Sequence, residues 1–190
     1  MDRKEIELIE EKHKELIGIA KKYMQRIQDP EHDMGHVEDV VLYTKKLLDT
    51  LKEDLDKEVC IISAYWHDVG RVRRKEGHEK LSADMLKEAM KELGYEESLI
   101  QKCYLAIKNH KWNMVPSSKE GLVIKDADKL AWLGMNRWKR CLEHHVALQE
   151  IIEQLPRLRN EILYFEESKK IYDQEILKLL LFFYKRYVEE

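Results

Sequence analysis

Glycine, proline and cysteine are scarce here: 190 residues contain seven, three and three of them. Without a Pro-, Gly- or Ser-rich stretch there is no linker, so the chain reads as a single domain, residues 1–190, long enough for a full hydrophobic core. Cys60, Cys103 and Cys141 are odd in number and far apart. That spacing excludes a zinc knuckle or a disulfide framework and suits reduced core residues. Charge of one sign is missing as well. A net charge of −3 gives no basic footprint for duplex nucleic acid or an anionic membrane. The most apolar run, Ile176 to Tyr184, is broken by Lys178 and is too short to span a bilayer. Met1-Asp2-Arg3-Lys4-Glu5 lacks the apolar run of a signal peptide, so a cytoplasmic location is expected.

What is present is charge, at 37%, mixed with frequent leucine, as amphipathic helices require. The composition predicts an all-α fold. Residues 2–27 have the periodicity of one long helix, stopped by Asp29-Pro30. A second helix carries Val37, Val40, Val41, Leu47, Leu48 and Leu51, with His36 one turn before Val40 on the face that must be buried. Val59 to Trp66 is apolar almost all round and reads as a buried central helix that Asp56 caps. It runs straight into His67-Asp68-Val69-Gly70. A structural reading of that end has His67 and Asp68 capping the helix, with Gly70 as its left-handed terminator. Further helices are expected from His78 to Leu93, ended by Gly94, and from Glu97 through Leu99, Cys103, Ile107 and His110. Another runs from Leu122 to about Val146. The remainder forms one helix bent near Pro156 and one from about Glu167 bearing Ile171, Ile176, Leu177, Leu180, Phe183, Tyr184 and Tyr187.

Polar groups recur where apolar ones belong. Asp128 stands between Ile124 and Trp132 on an apolar stripe, while Asp126 is rotated away from it. An unpartnered ionised carboxylate in an apolar interior costs several kcal/mol or more, so a buried Asp68 or Asp128 needs a partner. His36, His67, Asp68 and Asp128 all fall on inward faces of different helices, with His78 and His110 as two more. Four nitrogen and oxygen donors without thiolate suit a first-row divalent cation or magnesium with open water positions. His32 and His36 are four apart but lack the glutamate of a zinc-protease helix, and Gly35 places His32 in the preceding loop. The basic stretch Arg71-Val72-Arg73-Arg74-Lys75 follows the central pair directly. It is either a phosphate-holding loop or a solvated surface. The loop from Trp112 to Gly121 could rim a site, with Trp112 stacking on a base or packing under its own loop.

The order His36, His67-Asp68, Asp128 resembles the H…HD…D signature of the HD-domain superfamily of metal-dependent phosphohydrolases. The surrounding words do too: His32-Asp33-x-x-His36, His67-Asp68-Val69-Gly70, His78, Ile107-x-x-His110 and Asp126-Ala127-Asp128-Lys129-Leu130. The match runs from about His32 to Arg137 and is closest to the small uncharacterised hydrolases of that group. The resemblance implies a helical bundle on which the helix 2–27 and the helices of 147–190 pack. It implies His36, His67, Asp68 and Asp128 as ligands of a divalent ion (Mn, Mg, Co, Ni, Fe or Zn), with Asp68 bridging if two are bound. His78 and His110 would complete a second ion or contact phosphate. One position departs: relatives place an arginine just before Val40, where this chain has Asp39, so phosphate contacts are expected instead from Arg71, Arg73 and Arg74, with His32.

The implied chemistry is metal-assisted hydrolysis of a nucleotide or other small phosphate ester. Asp68, His78, His110 and Lys129 would serve the reaction itself. Two other classes remain open at this point, a metal- or nucleotide-binding sensor without turnover and a helical adaptor whose histidines are core residues. A homo-oligomer is also left open.

Overall fold

The structure, a computed structural model, describes residues 3–146 and 149–188. It is all-helical, with no strand among the described residues. The centre is α4 (Lys57–Trp66), capped by the Asp56 carboxylate, which accepts from the Val59 N–H at 3.2 Å. Val59 through Trp66 are all buried, and helices Arg3–Lys12 (α1), Lys14–Met24 (α2), Met34–Thr50 (α3), Glu97–Ile107 (α6) and Lys119–Leu130 (α7) pack around them. Burying each large apolar side chain contributes about 1.5–3 kcal/mol, so this helix anchors the core. The Trp66 indole N–H is satisfied there by the Leu16 carbonyl at 3.2 Å.

The N-terminal segment differs from the single helix expected. It is divided into α1 (Arg3–Lys12) and α2 (Lys14–Met24), because His13 leaves helical geometry at φ −107°, ψ 19°. Its ring is 1% exposed and lies between the Tyr95 hydroxyl at 2.7 Å and Glu58 Oε1 at 2.6 Å. Periodicity counts His13 as polar and gives no sign that two distant residues draw it inward. Asp2, where the expected helix began, lies outside the described residues.

Helix α3 (Met34–Thr50) starts at Asp33, whose carboxylate accepts from the His36 N–H at 3.0 Å. After α4 comes a short 3₁₀ turn, Val69–Val72, and then α5 (His78–Glu92) and α6 (Glu97–Ile107), joined through Gly94 at φ +75°. Gly70 is not a left-handed terminator: Gly77 and Gly94 are the described glycines with positive φ. Its role is close approach. A Cβ at residue 70 would stand 2.5 Å from the His78 carbonyl oxygen and 2.8 Å from the Ser82 nitrogen. Glycine therefore lets α5 come down onto the turn that bears Asp68.

Helix α7 (Lys119–Leu130) begins before Leu122, because Ser118 caps it by accepting from the Gly121 N–H at 3.1 Å. It also stops well before Val146. A 3₁₀ turn at Ala131–Leu133 and Gly134 lead into α8 (Met135–Glu143), and a Cβ at Gly134 would meet Asp39 Oδ2 at 2.8 Å. The chain thus turns where it crosses α3. It continues through α9 (Gln149–Arg157), which contains Pro156, a π-helical turn at Leu158–Ile162, and α10 (Glu166–Val188). The buried apolar face of α10 is Tyr172 and Leu179, whereas Leu177, Leu180 and Tyr184 of the expected stripe are exposed. Tyr187 lies outside the residues whose side chains are described. No helix among the described residues is long and apolar enough to cross a membrane.

Asp126 ties the C-terminal segment to α7. Fully buried, its carboxylate accepts from the Tyr164 N–H at 2.9 Å and the Phe165 N–H at 3.0 Å. Each buried N–H left unpaired costs about 1–3 kcal/mol. Asp126→Ala should therefore destabilise the protein by about 2–4 kcal/mol in urea unfolding, and Asp126→Asn, which keeps one acceptor, by less. Equal and small effects would mean that water replaces the carboxylate.

Candidate metal centre

Five helices and their ends bring six chemistry-bearing side chains together. His36 comes from the first turn of α3, His67 and Asp68 from the end of α4, His78 from the first residue of α5, His110 from the turn after α6, and Asp128 from α7. All six are buried, His36 and His67 completely. They form two trios: His36, His67 and Asp128, and Asp68, His78 and His110, with the donor atoms of each within 4.8 Å of one another.

Asp68 joins the trios. Its Oδ2 lies 3.7 Å from His36 Nε2 and 3.8 Å from His67 Nε2, while its Oδ1 lies 3.0 Å from His78 Nε2 and 3.6 Å from His110 Nε2. On the other side, Asp128 Oδ1 is 3.3 Å from His36 Nε2 and Oδ2 is 2.5 Å from the Lys129 ammonium. Arg71 Nε is 2.7 Å from Asp68 Oδ2.

The tautomers decide what this arrangement can hold. Nδ1 of His67 lies 2.8 Å from the Ala64 carbonyl, Nδ1 of His78 2.8 Å from that of Lys75, and Nδ1 of His110 2.8 Å from that of Ile107. A carbonyl only accepts, so Nδ1 carries the proton in all three, and Nε2 of each neutral ring presents a lone pair. Three lone pairs thus face carboxylate oxygens, and His67 Nε2 also faces His36 Nε2 at 3.3 Å. Acceptors opposed to acceptors repel unless protons or a cation lie between them. Burial pushes His36 down to about 3, despite Asp128 and Asp68, and lowers His67 as well, which favours neutral rings. Burial alone would raise the Asp68 carboxyl, yet with shared protons in place of a cation His67, His110 and His78 become donors and, together with Arg71, hold it well below the ordinary carboxylate range. Lys129, His36 and His67 do the same for Asp128, again against burial. Neutral imidazoles and ionised carboxylates are the donor set a divalent cation takes. His36 Nδ1 has no hydrogen-bond partner, so the fit is incomplete only in its outer support.

A cavity of about 400 Å³ opens onto the cluster. His32, Arg71, His78, His110, Asp128 and Lys129 line it, as the sequence reading placed them on one site. Arg73 and Arg74 do not. They are exposed, and Arg74 turns back to the Gly77 carbonyl at 3.5 Å. The 3₁₀ turn aims Arg71 inward and carries the next two arginines out to solvent, so of the three expected phosphate contacts Arg71 alone stands at the cavity. Asp39 sits on the α8 side of α3, with Arg140 at 3.9 Å, and burial pushes its carboxyl up to about 6. It takes no part in lining the cavity. Lys111, Trp132 and Gln154 line it unforeseen. Trp132 lies one turn beyond Asp128, on a stripe that periodicity marks as apolar packing alone. Gln154 arrives on α9 with no local signal.

Fold and site together define an all-helical protein with a buried His/Asp cluster competent for a divalent cation. The family model described as HD domain matches residues 33–133, and the chain belongs to the HD-domain family. A crystal structure described as that of a predicted HD superfamily hydrolase from an uncultured Thermotogales bacterium, at 1.45 Å resolution, has the same fold. The TM-score is 0.73 at 21% identity, over 93% of this chain and 92% of that one. A comparison with curated proteins gives no match.

The lowered histidines give stability a definite pH dependence without metal. Their folded pKa values lie below the ordinary 6.5, so on acidification the unfolded chain binds protons first. Their contribution is complete above about pH 6.5 and declines as pH falls toward the folded values. For His36 alone the loss by pH 5 is about 2 kcal/mol. Asp39 and Asp126, whose carboxyls burial pushes up to about 6, act in the opposite sense. The histidine share is therefore read as the urea midpoint of metal-stripped protein relative to that of His36→Ala, a difference that should shift steadily in favour of the variant from pH 7 to 5. A flat difference would mean that the rings are already charged in the fold.

Proposed function

We propose that this protein is a metal-dependent phosphohydrolase acting on a small phosphate ester, nucleotides among them. The observation that carries the reading is the set of Nε2 lone pairs locked toward two ionised carboxylates, an arrangement that only a cation relieves without charging the rings. His36, His67 and Asp128 would hold one ion and His78 and His110 a second, with one oxygen of Asp68 for each. A divalent cation bound there activates water and offsets charge on phosphoryl oxygens.

The remaining roles belong to side chains of the cavity wall. Lys129 keeps Asp128 ionised and presents an ammonium to the cavity. Arg71 does the same for Asp68, its guanidinium being able to turn two N–H groups toward a phosphate. His32, whose Nδ1 lies 3.1 Å from Asp29, offers Nε2 at the rim. Together Lys129 and Arg71 match the charge of a dianionic ester.

Metal analysis and turnover test the reading separately. Purified protein should carry a divalent ion, which Asp68→Ala and His67→Ala should lose almost entirely. A panel of phosphate esters with added manganese, magnesium, cobalt or nickel should reveal hydrolysis that Asp68→Ala abolishes. Bound metal without turnover on any ester would favour the sensor, and no metal at all the adaptor.

The arginines give an internal comparison. Arg71→Ala should lower kcat/KM about tenfold or more with metal content unchanged, as expected for one charge-assisted contact to phosphate. Replacing Arg73 and Arg74 together should leave kcat/KM within twofold. The opposite ranking would mean that the loop rearranges around substrate.

A further inference from the structure

Helix α10 is apolar on two sides. Toward the core it turns Tyr172, Ile176, Leu179 and Phe183, which are buried or packed against buried residues. Five residues further along in each case stand Leu177, Leu181, Tyr184 and Val188, and these are 54–66% exposed, as is Leu180 beside them. Five residues advance about 140° around a helix of 3.6 residues per turn, so the second stripe looks away from the body of the protein. Leu8, Val115 and Tyr164, the other described apolar side chains exposed to this degree, stand singly elsewhere on the chain. The stripe leaves roughly 500 Å² of apolar surface in water, near the upper end of what monomers carry in one patch, and two such stripes together reach the ~1,000 Å² that a specific interface needs.

The spacing selects the partner. Leu177, Leu181, Tyr184 and Val188 follow one another by four, three and four, the a and d positions of a seven-residue repeat through which two helices bury their stripes against each other. Two copies of α10 laid side by side in register set each of these residues against its own counterpart, the isologous contact of a two-fold dimer. Charge at the edges fixes the direction. Lys178 and Lys185 flank the stripe on one side, Asp173 and Leu180 on the other. In a parallel pair unlike edges meet, so Asp173 faces Lys178 of the second copy and Leu180 packs on the methylene stem of Lys185. Reversing one helix would bring lysine edge against lysine edge. The Asp173 oxygens accept from Arg159 at 2.6 and 2.9 Å, and the Lys178 ammonium donates to Glu175 at 3.0 Å. Each oxygen keeps a further lone pair and the ammonium two further N–H groups. An anionic lipid surface fits less well, because it would meet the Asp173 edge.

We infer that the exposed stripe of α10 is an interface between two copies of this chain, paired in parallel through Leu177, Leu181, Tyr184 and Val188. Neither the stripe nor its charged edges line the cavity at the candidate metal centre. Pairing therefore leaves that cavity open, and changes to the stripe can be made without touching it.

Sedimentation equilibrium of the full chain over a dilution series should give twice the 22.9 kDa monomer mass at the concentrated end. Leu177→Glu/Leu181→Glu should weaken the association roughly a hundredfold or more, since two large apolar contacts give way to facing carboxylates. Both positions are exposed, so circular dichroism of the variant should match that of the wild type. Val188→Cys reads the direction. Cys60, Cys103 and Cys141 are buried, so mild oxidation should link two chains through position 188, which a parallel pair in register brings together and an antiparallel one sets apart. This variant replaces no charge and removes little surface, so it decides the matter even if the glutamate variant fails to fold. A monomer throughout the series, including one that co-sediments with phosphatidylglycerol vesicles, overturns the interface. So does a dimer undiminished in the folded glutamate variant, and a dimer of Val188→Cys that does not cross-link overturns the parallel pairing.

Discussion

The rest of the structure depends on keeping two ionised carboxylates and four imidazoles dry at the junction of α3, α4, α5 and α7. An isolated ionised carboxylate in an apolar interior costs several kcal/mol, which no single hydrophobic contact offsets. The fold answers in two ways. Lys129 and Arg71 stand beside Asp128 and Asp68. Three backbone carbonyls fix the proton on the outer nitrogen of three rings, so the inner nitrogens are committed as donors of electron pairs.

The carbonyl device recurs with one spacing. Ala64 precedes His67, Lys75 precedes His78 and Ile107 precedes His110, each by one tight turn. In α4 and α6 the accepting carbonyl belongs to the last turn, and that of Ile107 also accepts the His110 backbone N–H at 3.2 Å. A histidine placed just past a helix end thus fixes its own tautomer on a carbonyl of that end. Close approach completes the arrangement: Gly70 allows α5 to descend until His78 meets Asp68 Oδ1 at 3.0 Å.

Helix α7 connects this centre to the C-terminal segment. Residues two apart on a helix point to nearly opposite sides, so Asp128 turns toward the imidazoles while Asp126 holds the backbone of Tyr164 and Phe165. The same segment positions α9, whose Gln154 reaches the cavity rim.

Much of this was legible in the sequence because helical periodicity is a property of the local chain. The buried α4, the cap at Asp56, and the inward positions of His36, Asp128 and His110 all follow from spacing and residue type, and the His36, His67-Asp68, Asp128 order led to the family. Other features have no local signature. The break at His13 depends on Glu58 and Tyr95, the turn at Gly134 on Asp39, and the separation of Arg71 from Arg73 and Arg74 on how a 3₁₀ turn meets α5. Trp132 and Gln154 reach one cavity from elements that share no pattern. A period of 3.6 residues is enough to mark the inward faces of α3, α4, α6 and α7, though it misses His13 and misplaces the stripe of α10. Which atoms meet is set by packing between helices far apart along the chain, and no local pattern carries it.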